Sequence, residues 1–344
     1  MKKFPKIDGY QVDCILGSGG QGAVYGGRRL SDKRKVAIKV LHDRFDDHHL
    51  EAVSRFRREI EVSKNFAHAN VIRILDGGLL AQGTPFLVLD YLEGESLLSR
   101  LMKQNLTAEE LGPIYLELAE ALDYIHSQGL LHRDIKPANV WLRQDGQPIL
   151  LDFGLCYVND ITRITDTGVV VGTVATMAPE QLQAKEIGPY TDIYCLGATI
   201  YCAATGDAPY KVEDLLLIGV GRKPRLIESP CDLMPAFPPH LSSVIMKSIC
   251  LYPRERFQTA AELKDALLEK DGHTSESVVI ELEKLPPQKP ARNPTVYLGL
   301  LLLLLFMFAL HAMTQDKEEK KYAPTTFTLA PSYKQLLAQR RWTD

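Results

Sequence analysis

His132-Arg133-Asp134-Ile135-Lys136-Pro137-Ala138-Asn139 is the stretch on which the fold turns, together with Asp152-Phe153-Gly154, which begins thirteen residues beyond Asn139. Pro137 stops any helix. Polar and ionisable groups are crowded between apolar Leu130-Leu131 and Val140-Trp141-Leu142, a density for which a structural loop has little use. Asp152 closes the apolar run Pro148-Ile149-Leu150-Leu151, and Gly154 follows as a hinge. A carboxylate at the end of a buried strand suits a metal ligand. Asn139 and Asp152 offer hard oxygens, which suit Mg²⁺ bound jointly with phosphates.

Upstream, Gly17-Ser18-Gly19-Gly20-Gln21-Gly22-Ala23-Val24 lies between the strand-like runs Val12–Gly17 and Ala23–Arg29. Glycine lets backbone N–H groups approach phosphate oxygens with no Cβ in the way. The motif alone leaves a plain hairpin turn and a phosphate cover equally open. A dinucleotide fingerprint needs a helix to begin inside it, and here the chain returns to strand. Val36-Ala37-Ile38-Lys39 follows. Its lysine reads either as solvent-facing alternation or as an ammonium turned toward phosphate. In the second case it needs an acidic partner, and Glu59, on a charged helix around residues 50–66, could supply one. Taken singly, Glu59 is one charge on a solvated face.

In order, these segments resemble the eukaryotic-type protein kinase family: the glycine motif, Val36–Lys39, a helix Glu, His132–Asn139, Asp152–Gly154 and Ala178-Pro179-Glu180. The opening Leu16–Tyr25 is most similar to bacterial membrane-anchored Ser/Thr kinases. The resemblance covers about Tyr10 to Leu268. It implies an α+β, bilobal fold with a small β-rich N-lobe (10–92) and a larger helical C-lobe (93–270). It also implies ATP-dependent transfer of the γ-phosphoryl group to Ser/Thr hydroxyls of proteins, the reaction of a non-specific serine/threonine protein kinase.

The roles that the resemblance implies can be given residue by residue. Leu16, Gly17, Ser18, Gly19, Gly20, Gln21, Gly22, Ala23 and Val24 cover the nucleotide, with Val24 and Ala37 on adenine. Lys39 holds the α- and β-phosphates and pairs with Glu59. Leu89 limits the back of the pocket, and Asp90 and Leu92 offer backbone groups to adenine. Asp134 accepts or orients the substrate hydroxyl proton, and Lys136 neutralises the γ-phosphate. Asn139 and Asp152 hold Mg²⁺, with Mn²⁺ as the alternative. Asp192 anchors the catalytic-loop backbone, and Glu180 pairs with Arg256 under the substrate shelf.

Arg133 beside Asp134 resembles kinases controlled by phosphorylation between Asp152 and Glu180. That segment carries Thr162, Thr165, Thr167, Thr173 and Thr176. Thr165 or Thr167 is the expected switch, through added charge that can pair with arginine, and Thr173 is expected to be structural. Three positions depart from the family. Thr176 stands where Tyr is usual and Val174 where Pro is frequent, which bears on peptide preference. Ser63, one turn after Glu59, stands where an internal column is usually bulky and apolar. A docking platform of the same fold commonly lacks the lysine or one of the two aspartates, but Lys39, Asp134 and Asp152 are all present. A small-molecule kinase is disfavoured by the Ala178-Pro179-Glu180 element.

Composition agrees with a folded chain of about two domains. There are 344 residues, 24% charged and 45% hydrophobic, with a formal net charge of −3. No basic excess points to nucleic acid. The six cysteines, Cys14, Cys156, Cys195, Cys202, Cys231 and Cys250, lack zinc-site spacing and read as buried free thiols.

Residues 296–313, VYLGLLLLLLFMFALHAM, contain no Asp, Glu, Lys or Arg. Eighteen residues at ~1.5 Å each span ~27 Å, enough for one membrane crossing. A Pro-rich juxtamembrane linker (271–295) precedes this segment, and residues 314–344 form a short tail expected to be extracytoplasmic. The flanking charges are indecisive for orientation. A kinase that uses ATP places residues 10–270 in the cytoplasm, at the cell membrane. Tethering in a membrane plane raises effective concentration, so a homodimer that phosphorylates itself in trans is expected.

Overall fold

The computed structural model describes residues 4–19, 22–41, 58, 60–61, 63–81, 83–104, 106–152, 175–211, 214, 217 and 224–269. Gly20, Gln21, Glu59, the segment 153–174 and the expected linker, span and tail (271–344) lie outside them. No helix among the described residues is long and apolar enough to cross a membrane.

Five antiparallel strands build the first sheet: β1 (Tyr10–Gly19), β2 (Gly22–Arg29), β3 (Lys35–Leu41), β4 (Ile74–Leu79) and β5 (Pro85–Asp90). Their order is β1-β2-β3-β5-β4. Alternation divides the sheet's two faces. Val36, Ile38 and Val88 form a core with Ile7 and Leu80, joined by Tyr25, Val40 and Phe86. Val24 pairs with Lys39, Lys39 with Leu87, and Ala37 with Leu89. Directly paired residues share a face, so Val24, Ala37, Lys39 and Leu89 lie together opposite that core.

Seven helices follow among the described residues: α1 (Leu97–Lys103), α2 (Ala108–Ser127), α3 (Pro179–Leu182), α4 (Pro189–Thr205), α5 (Pro230–Leu233), α6 (Pro239–Ser248) and α7 (Ala260–Leu268). Thr107 caps α2 through a reciprocal capping box with Glu110. Every residue of α4 from Thr191 to Ala204 is buried. It is the central post of this lobe, and α2 and α6 pack on it.

The C-lobe is not helical throughout. This lobe holds a three-stranded sheet of β6 (Gly94–Ser96), β7 (Val140–Arg143) and β8 (Pro148–Leu150). Strands of three or four residues are too short to show a periodicity. β8 also ties the lobes together: Leu150 donates to Asn70 O at 2.8 Å, and Ile72 donates back to Leu150 O at 3.0 Å. The expected charged helix is seen at Arg58, Ile60–Glu61 and Ser63–Lys64.

Candidate active site

The glycine motif folds as a hairpin, with Gly19 opposite Gly22. Strand β2 begins at Gly22, and no helix starts among the motif's described residues, which removes the dinucleotide reading. Lys39 is only 5% exposed, so the solvent-facing alternative falls. Its Nζ lies 2.8 Å from Asp152 Oδ2, an ion pair that joins the face of the first sheet to the residue two beyond β8. Glu59, expected as the lysine's partner, lies outside the described residues.

From Asp152 a chain of contacts leads to the other expected groups. The Leu151 N–H donates to Asn139 O at 2.8 Å. Asn139 Nδ2 donates to the Asp134 carbonyl at 2.8 Å and to its Oδ2 at 2.9 Å. Lys136 Nζ donates to both Asp134 carboxylate oxygens, at 2.9 and 2.8 Å. Lys39, Asp134, Lys136, Asn139 and Asp152 are thus brought together. With its Nδ2 engaged, the Asn139 amide turns its oxygen the other way. One carboxylate and one amide oxygen suit a hard cation that takes its other ligands from phosphate and water. The residues fit Mg²⁺ in this respect.

The catalytic loop is held from beneath by Asp192 of α4. This fully buried carboxylate accepts from the N–H groups of His132 (2.8 Å) and Arg133 (2.7 Å) and faces His126 Nε2 at 2.8 Å. Burial alone would raise its pKa. The His126 hydrogen bond and the charges of His126 and His132, with the Arg133 N–H, hold it below the usual carboxylate value. His132 is fully buried between Leu151 O (2.7 Å) and the Asp134 N–H (3.3 Å), and burial pushes its imidazole down. Arg133 (φ 69°) and Asp152 (φ 55°) sit in the left-handed region, unusual for non-glycine residues. Strain of this kind concentrates at functional sites.

The Glu180–Arg256 pair lies next to this loop in the fold. The two guanidinium ends meet the two carboxylate oxygens at 2.7 and 2.9 Å. Arg256 also donates to the carbonyls of Tyr190, Cys250 and Leu251, so all five of its N–H groups are engaged.

A protein kinase domain model matches residues 10–268. The chain belongs to the protein kinase family. Curated relatives of this kinase domain include a probable serine/threonine-protein kinase PknB of Corynebacterium glutamicum, 30% identical over 310 residues, which covers 85% of this chain and 47% of that one. Another is a probable serine/threonine-protein kinase of Clostridium acetobutylicum, 33% identical over 261 residues, 75% and 39% of the two chains. The serine/threonine-protein kinase PknK of Mycobacterium tuberculosis is 34% identical over 275 residues, 79% and 24%. The chain therefore spans less than half the length of these relatives.

Of the other kinase positions read from the sequence, Val24, Ala37, Leu89, Asp90 and Leu92 are half-buried, and Leu16 through Gly19 are exposed on β1. The Asp90 N–H is taken by Arg73 O at 3.1 Å. Ser63 is fully buried, and its hydroxyl has no hydrogen-bond partner among the described residues. Sequence reading missed His126 and Gln181. Gln181 Nε2 donates to Arg133 O at 2.8 Å, and no local pattern marks it.

Proposed function

We propose that this chain is an ATP-dependent serine/threonine protein kinase, with Mg²⁺ as the metal. The single observation that carries this reading is the 2.8 Å contact between Lys39 Nζ and Asp152 Oδ2. It sets a phosphate-binding ammonium and a metal-binding carboxylate side by side, one residue away from the backbone bond that leads to Asn139 and Asp134. Phosphoryl transfer proceeds through a loosely bonded state, so catalysis is mostly positioning and charge stabilisation. The substrate hydroxyl oxygen forms a bond to the γ-phosphorus, the bond to the β–γ bridging oxygen breaks, and ADP leaves. The hydroxyl proton passes to Asp134, whose carboxylate Lys136 and Asn139 hold in place. During the transfer Lys136 turns one of its N–H groups to the γ-phosphate. The metal, held by Asn139 and Asp152, would supply charge neutralisation on the phosphates. Val24, Ala37 and Leu89 line the base, and residues 16–24 cover the phosphates.

The finer parts of the reading rest on sequence. Residues 296–313 anchor the chain in the cell membrane with residues 10–270 in the cytoplasm, and two copies phosphorylate each other at Thr165 or Thr167.

Transfer of labelled phosphate from ATP to a generic protein substrate tests the core of the proposal. Asp134→Asn is expected to cut kcat by about 10²–10⁴-fold while ATP binding persists. A wild type that binds ATP and transfers nothing sinks it. Phosphothreonine mapping, with Lys39→Met as control, tests the self-modification.

A further inference from the structure

The catalytic loop contains a conformation that needs support. Arg133 is left-handed at φ 69°, and such a residue persists only where its surroundings over-determine it. Its N–H is fixed by Asp192. Its carbonyl accepts from Gln181 Nε2 at 2.8 Å. On the other side of Asp134, the Ile135 carbonyl accepts from Thr176 Oγ1 at 3.1 Å.

Both donors are themselves constrained. Thr176 is 2% exposed, so its hydroxyl has little water to turn to. Gln181 Oε1 accepts from the Ala178 N–H at 3.0 Å and from Cys195 Sγ at 3.2 Å, which points Nε2 at the loop. Burial pushes the Cys195 thiol well up, so it stays protonated and able to donate.

We propose that Thr176 and Gln181 are positioning residues for Asp134, clamping the carbonyls on either side of it and so fixing where its carboxylate points. Thr176 belongs to the stretch between Asp152 and Glu180. Its hydroxyl therefore links the placement of that stretch to the placement of the base. This role is chemically available to Thr176 because its short side chain ends in a hydroxyl, where the family usually has the much longer Tyr. The inference rests on the reading of Asp134 given above.

Thr176→Val keeps the shape and removes the donor, and Gln181→Leu removes the Nε2 donor on the other side together with the Oε1 acceptor that orients it. Thr176→Ser keeps the donor. In the full chain, each of the first two is expected to lower kcat about tenfold or more, with KM for ATP nearly unchanged. Thr176→Ser is expected to stay within about threefold of wild type. Amide hydrogen exchange at residues 132–136 speeds up in Thr176→Val and Gln181→Leu only. Wild-type kcat and wild-type exchange in Thr176→Val overturn the clamp, and so does failure of Thr176→Ser to keep activity. A wild type without phosphoryl transfer overturns the Asp134 reading instead, and the exchange measurement still decides whether the clamp exists.

Discussion

The glycine hairpin and the catalytic loop, which the proposed function brings to the same nucleotide, are built in opposite ways. At Gly17 and Gly19 an added Cβ would meet no atom within 4 Å, and Ile15 and Leu16 beside them are nearly half exposed. In the catalytic loop, His132 is fully buried, and the backbone N–H groups of His132, Arg133 and Asp134 end on side chains, as do the carbonyls of Arg133, Asp134 and Ile135. The difference fits the two tasks that the proposed function gives them. The loop that aligns reacting atoms gains from being over-determined. The hairpin that covers a ligand must let it in and out, and its glycines leave room for phosphate to reach the backbone.

The largest effect is expected beneath the catalytic loop. Arg256→Ala leaves Glu180 buried with its strongest partner gone, a one-sided break that costs about 3–5 kcal/mol. Activity would fall with it, but through the fold. Urea denaturation separates this from Asp134→Asn, which removes chemistry and is expected to leave the midpoint near wild type. An Arg256→Ala midpoint equal to wild type would break the contrast between a held loop and an open one.

Acid is the next probe. The buried His132 has a lowered pKa, with Asp192, Asp134 and Asp152 facing it, and His68, stacked on Tyr124, is lowered by burial as well. The unfolded chain binds these protons more readily than the folded one, so stability rises with pH in this window. It is fully present above the unfolded histidine value of about 6.5 and is lost as pH falls below it, at no more than about 1.4 kcal/mol per pH unit for each group. The melting temperature is expected to drop between pH 7 and pH 5, with a shallower slope in His132→Asn. A slope unchanged by that substitution would place the acid sensitivity elsewhere.

Much of this division was legible in the sequence, and the rest was not for a physical reason. The dense polar loop at 132–139 and the Asp152 that follows a buried run announce chemistry by type and order, and the resemblance then fixed the bilobal fold. The supports are a different matter. Asp192 was found because its motif matches the family, and Arg256 likewise. Gln181 and His126 carry no pattern of their own. A side chain that donates to a backbone carbonyl can come from any element that packs nearby, so spacing along the chain does not encode it. β6 and β7 escaped for a related reason, since their stability comes from pairing across the lobe to one another and to β8, with too few residues each to show alternation.

The smallest effect, and the sharpest test of the contrast, lies within the hairpin itself. Gly22 opens β2 where a Cβ would stand 2.2 Å from the Val40 carbonyl oxygen. That neighbour is backbone near the end of β3, paired to Ala23 on one side and to Phe86 on the other, and cannot move aside cheaply. Gly22→Ala is expected to cost about 1 kcal/mol or more of stability. Gly17→Ala, near the end of β1, meets open space and is expected to stay within about 0.5 kcal/mol of wild type. Its effect belongs to the ligand: a methyl group where backbone approaches phosphate should raise KM for ATP with little change in melting temperature. A Gly17→Ala variant that melts early would mean that this end of the hairpin is held as firmly as the catalytic loop, and the functional division between them would fail.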